Sequence, residues 1–193
     1  MKRNIVVTFL VFSLCMCFTG CFTSIRSSKT DYVKRRSESS VSQNVLPDLN
    51  NLPPYKKLNY QYRWILRIIF VSETMRLVVT YDEETYQKEK TNINNLKFLK
   101  NPVPWESHFD NDEKLYLLPE HEFNINSYNF RVLEADEDNG FNYPKRIGII
   151  ATSDMKKSIA YLYSDDFDLD YIGENNAKNA MVKFVKENFK YRW

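Results

Sequence analysis

Leu58, Tyr60, Tyr62, Trp64, Leu66, Ile68 and Phe70 recur at strict period two, with Asn59, Gln61, Arg63 and Arg67 between them. Side chains of a strand alternate between its two faces, so this spacing predicts one long strand with a buried face. A folded domain is therefore expected over residues 57–193. Arg76 to Tyr81 predicts a second strand, paired in a hairpin through Ser72-Glu73-Thr74.

Thr80-x-x-Glu83 has the form of a helix capping box, with Asp82 as the alternative cap. Glu83 and Glu84 in the first turn and Lys97 and Lys100 near the end match the helix dipole. Tyr86, Ile93 and Leu96 are expected to face the core, and the helix to stop before Pro102. Pro102-Val103-Pro104-Trp105 then reads as an exposed, irregular loop. Short strands are expected at Leu115–Leu118, Glu122–Ile125 and Tyr128–Leu133, with a turn at Asn126-Ser127. A hairpin follows, Arg146–Ala151 and Ser158–Tyr163, joined at Asp154-Met155-Lys156-Lys157. Residues 174–190 predict an amphipathic helix carrying Ala177, Met181, Phe184, Val185 and Phe189 on one stripe. Strands, helix, strands, helix in that order imply an α+β domain with a largely antiparallel sheet and two helices.

The amino terminus carries a different signal. Lys2 and Arg3 precede an uncharged apolar run from Ile5 to Phe18, the length of a signal-peptide core and short of the roughly 20 residues that span a bilayer. Phe18-Thr19-Gly20-Cys21 follows, and this tetrapeptide resembles the bacterial lipobox. The resemblance implies cleavage between Gly20 and Cys21, which makes 1–20 a signal peptide. It also implies diacylglyceryl and N-acyl groups on Cys21 that hold the protein to a membrane. Small residues at Thr19 and Gly20 let the chain lie extended in a peptidase. Cys15 follows Leu14 and Cys17 follows Met16, both bulky, so Cys21 alone fits. Phe18 departs from the aliphatic residue usual at its position. The competing reading is an uncleaved anchor over residues 4–25. Arg26, Lys29, Lys34, Arg35 and Arg36 outweigh Lys2 and Arg3, and would then keep the domain in the cytoplasm.

Cleavage leaves Cys21 as the one cysteine, consumed by lipid, so the exported domain is expected to stand without disulfides. Residues 21–56, rich in serine and basic residues and ending in Asn50-Asn51-Leu52-Pro53-Pro54, read as a disordered tether. The net charge of +2 comes from Lys2 and Arg3, and residues 21–193 balance 25 bases against 25 acids. Ten bases and four acids fall in residues 22–76, fifteen and twenty-one in 77–193, so a basic leash carries an acidic remainder. That balance excludes a nucleic-acid binder working through bulk charge. Four glycines in the whole chain argue against phosphate-cradling loops and nucleotide cofactors.

Thr80-Tyr81-Asp82-Glu83-Glu84-Thr85-Tyr86 and the stretch from Tyr143 to Ile172 are similar to uncharacterised lipoproteins of low-GC Gram-positive bacteria. That resemblance implies no activity and no site residues.

Among motifs that carry chemistry, Asp166, Asp168 and Asp170 begin like a calcium loop. Tyr171 stands where the loop requires glycine and Ala177 where it requires glutamate. A strand with Asp on one face and Phe167, Leu169 and Tyr171 on the other accounts for the run instead. His108 and His121 are the only histidines. A zinc site would have to borrow Glu120 or Glu122 at no recognised spacing. Ser153 beside Asp154 reads as turn chemistry, and no G-x-S-x-G elbow is present. Trp64 falls on the buried stripe, Trp193 is expected to dock the last helix, and Trp105 is the candidate for an exposed contact with a partner. The expectation is a membrane-anchored lipoprotein with a non-catalytic domain that binds an envelope protein or glycan, without cofactor, metal or nucleic acid. The alternative is an envelope hydrolase whose carboxylates converge only in the fold.

Overall fold

The computed structural model of the protein describes residues 21–67, 70–102, 104–106, 115–117, 120–135, 138–169, 172–173 and 179–193, with 21, 22, 67, 104–106 and 115–117 as backbone. The expected signal peptide, Gly20 included, lies outside these residues. In chain order the elements are β1 (Cys21–Arg26), α1 (Lys29–Glu38), α2 (Ser40–Gln43), β2 (Lys57–Arg67) and β3 (Phe70–Thr80). Then come α3 (Glu83–Asn94), β4 (Pro104–Glu106), β5 (Leu115–Leu117), β6 (Glu122–Ile125) and β7 (Tyr128–Val132). β8 (Arg146–Ser153), β9 (Ser158–Asp166) and α4 (Ala180–Phe189) complete the order.

Seven strands form one sheet in the order β1-β2-β3-β9-β8-β7-β6, and β4 pairs with β5 apart from it. Every neighbouring pair is antiparallel, so the fold is α+β. No described helix is long and apolar enough to cross a membrane.

Register shows why the centre of this sheet is apolar on both faces. Tyr60, Leu77, Tyr161 and Ile150 lie in one row, and Gln61, Arg76, Leu162 and Ile149 in the next. Cross-strand partners share a face, so the two rows look opposite ways. The first face is covered by α1, where Tyr32 meets Tyr60 edge-on at 4.8 Å, and by α3, where Tyr86 is buried. The second is covered by α4 through Met181, Phe184, Val185 and Phe189. Trp193 closes that face, edge-on to Phe130 at 4.9 Å and Tyr128 at 5.5 Å, docking the end of the chain as expected. Trp64 is half-buried against the core.

Residues 21–56 differ from the tether expectation. β1 pairs along its length with β2, Cys21 opposite Arg67 through Arg26 opposite Tyr62. The serines that give the stretch its linker composition cap helices: Ser28 accepts the amide of Asp31 at 3.1 Å and Ser39 that of Ser42 at 3.2 Å. Tyr32, Val45, Leu46 and Leu49 are buried, too widely spaced to produce a periodic signal. Tyr32 donates its hydroxyl to the Pro47 carbonyl at 2.5 Å, and Arg36 Nε donates to the Leu46 carbonyl at 2.7 Å, which holds the returning chain.

Other boundaries shift for physical reasons. β2 ends at Arg67, and Ser72, Glu73 and Thr74 lie inside β3 rather than in a turn, because the apolar run through Val71 belongs to two strands. Asp82, not Thr80, caps α3, accepting the Thr85 amide at 2.7 Å. Leu96 is exposed beyond the helix end. β9 stops at Asp166, so Phe167 stands in solvent where an alternating strand was expected. α4 begins at Ala180, and residues 174–178, with Ala177, lie outside the described set.

Candidate functional site

The most elaborate polar surface lies on the α1–α3 face, beyond the edge of α3. β6 and β7 alternate, so Phe123, Ile125, Tyr128, Phe130 and Val132 are buried on the α4 side. Glu122, Asn124, Asn129 and Arg131 are turned the other way, paired as Glu122 opposite Arg131 and Asn124 opposite Asn129. Asn126, in the left-handed conformation at φ 52°, makes the tight turn between the strands and donates its amide to the Trp193 carbonyl at 2.7 Å. Thr152 of β8, Asp154 just past its end, and Lys90 and Asn94 of α3 complete the lining.

The result is an open groove of about 500 Å³, adjoining a second depression of about 380 Å³ that shares Glu122 and Arg131. Its side chains hold one another in place. Asn129 Nδ2 donates to Glu122 Oε1 at 2.8 Å and Asn124 Oδ1 at 3.3 Å. Arg131 Nη2 donates to Asn94 Oδ1 at 2.8 Å, its guanidinium 3.9 Å above the Phe98 ring. Asp154 accepts from Lys90 Nζ and from the Tyr86 hydroxyl, each at 2.7 Å. Lys90 first and Tyr86 second keep the Asp154 carboxyl below the usual carboxylate range. The site thus offers amides, hydroxyls and paired charges in fixed positions, with Asp154 held ionised.

A second polar cluster lies near the opposite end of the same face. Glu73 and Asp165 are cross-strand partners on β3 and β9. Burial pushes the Glu73 carboxyl up, with Asp165 and Glu38 adding to the effect, against the Tyr62 hydroxyl and Arg35. Asp165 accepts from Arg146 Nε at 3.0 Å and from the Tyr163 hydroxyl at 3.2 Å. Here two carboxylates meet that are far apart in the sequence.

The sequence candidates are distributed as follows. Cys21 opens β1, its backbone opposite Arg67. Trp105 lies in β4 rather than in an irregular loop, its backbone opposite Tyr116, and its exposure lies outside the described residues. His108, Asp170 and Tyr171 also lie outside them. Asp166 accepts the Asp168 amide at 3.3 Å, an ordinary turn contact. Ser153 accepts the Lys156 amide at 3.2 Å, again turn chemistry. His121 borders the smaller depression. Glu120 accepts the backbone amides of Asn179 and Met181 at 2.7 and 2.9 Å, and so caps the start of α4. Among the described residues no three His, Cys, Asp or Glu side chains are grouped as for a metal ion.

The groove residues were not marked out by the sequence. Asn124, Asn129 and Arg131 occupy the polar phase of two short alternating strands, a pattern that equally describes plain solvated edge strands. Comparison with protein-family models, curated proteins and solved structures finds no match for this chain.

Proposed function

We propose that the chain is a bacterial lipoprotein, held to the cell membrane by acyl groups on Cys21 with its domain on the extracytoplasmic side. In this reading the domain is a non-catalytic binding module that takes an envelope glycan in the groove between α3 and the β6–β7 hairpin. The lipobox-like Phe18-Thr19-Gly20-Cys21 supports the anchor. The interlocked Asn124–Asn129–Glu122 and Asn94–Arg131 contacts carry the binding reading. Preset amides and charges present hydrogen-bonding groups to a hydroxyl-rich ligand with little ordering left to do on binding.

Two measurements test these parts separately. Cells fed radioactive palmitate should label the wild-type chain and not Cys21→Ala, and equal labelling would refute lipidation at that residue. Purified full-length protein should co-sediment with isolated cell-wall glycan. One neutral hydrogen bond contributes about 0.5–1.5 kcal/mol, so Asn129→Ala should weaken that binding roughly three- to tenfold. Undiminished binding by Asn129→Ala and Arg131→Ala would remove the groove from the account.

The second reading, an envelope hydrolase, draws on Glu73, the one described carboxyl pushed upward, beside Asp165. Release of soluble fragments from cell-wall glycan by the wild-type chain but not by Glu73→Gln would favour it over the binding reading.

A further inference from the structure

Cys21, Arg67 and Phe70 stand in one row of the sheet: Cys21 is the first residue of β1, Arg67 the last of β2 and Phe70 the first of β3. Strands lie about 4.8 Å apart, so Phe70 is only about 10 Å across the sheet from the cysteine. β9 reaches no further than Asp166, opposite Ser72. The β2–β3 hairpin therefore overhangs its neighbour, and Phe70 and Val71 on the overhang are 40% and 37% exposed. The two residues that join the strands in sequence are Ile68 and Ile69. Just past the end of β9, Phe167 is 69% exposed with Lys145 Nζ 4.9 Å from its ring centroid.

We propose that this end of the sheet is a membrane-contact surface, and that the hairpin overhang enters the lipid interface beside the acylated Cys21. The proposal rests on the lipoprotein reading for its lipid partner: acyl chains on the first residue of β1 leave no slack between the bilayer and this end of the sheet. Two residues of overhang at about 3.3 Å each give about 7 Å, within the depth to which interfacial segments bury their apolar faces. Phe70, Val71 and Phe167 supply the apolar contact. The Lys145 ammonium, now over the Phe167 ring, is free to turn to the headgroups on its flexible stem. Of the described charges here, Lys145 and Arg146 stand against Asp165, Asp166 and Asp168, with Arg146 paired to Asp165 at 3.0 Å, so no basic excess draws this end to the headgroups and the contact is apolar.

The same registers place the groove at the other end. Thr80 of β3, Ser158 of β9 and Ser153 of β8 share a row ten residues along β3 from Phe70. At about 3.3 Å per residue the groove end therefore stands about 33 Å from the overhang. The bilayer and the groove would then lie at opposite ends of one sheet.

The test places a tryptophan at each end of the full-length chain, reconstituted in phosphatidylcholine–phosphatidylglycerol vesicles with and without brominated acyl chains. Phe70→Trp and Val71→Trp should lose most of their added emission in brominated vesicles, read as a difference from the wild-type chain. Tyr55→Trp, at the groove end, should lose none, and the pattern should survive high salt. Equal emission at residues 70 and 71 with and without bromine, or equal quenching at 55, overturns the proposal. Palmitate incorporation on the same preparations separates the two claims. Label without quenching refutes the contact surface alone. Quenching without label supports the surface and refutes the anchor.

Discussion

Arg76 places a guanidinium in the interior with only neutral oxygens around it among the described contacts. Its Nη2 donates to Asn59 Oδ1 at 2.7 Å, and its Nη1 to Gln61 Oε1 at 2.9 Å, to the Lys190 carbonyl at 3.1 Å and to the Phe189 carbonyl. Tyr191 lies across the planar group at 4.6 Å. Burial lowers its pKa to about 10, which leaves it charged at neutral pH. It thus ties the polar face of β2 to the open carbonyls at the end of α4. Glu73 illustrates the opposite sign. Burial raises its carboxyl pKa, so between the ordinary value of 4.5 and the native one the folded chain holds more proton than the unfolded chain. Glu73 therefore lets stability fall as pH rises through that window, whereas Asp31, Asp82 and Asp154, shifted downward, act the other way. Glu73→Gln should be more stable than wild type at neutral pH and lose its advantage in acid, as urea midpoints from about pH 4 to about pH 8 will report.

At the scale of elements, the stretch from β1 to Pro54 decides how much of the chain is domain. Tyr32 is fully buried, edge-on to Tyr60 and bonded to the Pro47 carbonyl. Tyr32→Ala should cost about 3 kcal/mol in chemical denaturation, the usual loss for emptying a large aromatic site, whereas a residue in a loose leash would cost nothing. This was also where the sequence was least legible. β6 and β7 were readable because each alternates over its own length, β8 and β9 because each is a short apolar run bounded by turn residues, Asn126 and Lys157 adopting left-handed conformations in the turns. α3 was readable from its acidic start. In α1 the burial falls on Tyr32 alone, so a helix of ten residues leaves no stripe. The β2–β3 turn was misplaced because Arg67 to Val71 carries no turn residue at all. The groove stayed hidden for a third reason: its members come from α3, β6, β7 and β8, and only strand order brings Asn94 to Arg131.

For the whole molecule, the sheet closes late in the order of synthesis. β3 is central, yet its neighbour β9 begins 78 residues after Thr80, and the carbonyls that meet Arg76 lie 113 and 114 residues beyond it. At about 5–20 residues per second, a ribosome makes Arg76 roughly 6–23 s before Phe189 and Lys190 exist to receive it. Through that interval the β2–β3 hairpin lacks α4 over one face and β9 along one edge. A nascent chain in this condition is an unfinished sheet with a charged group at its centre, held back from folding by its own topology. Until then the chain stays threadable, its central strands open over one face and along one edge.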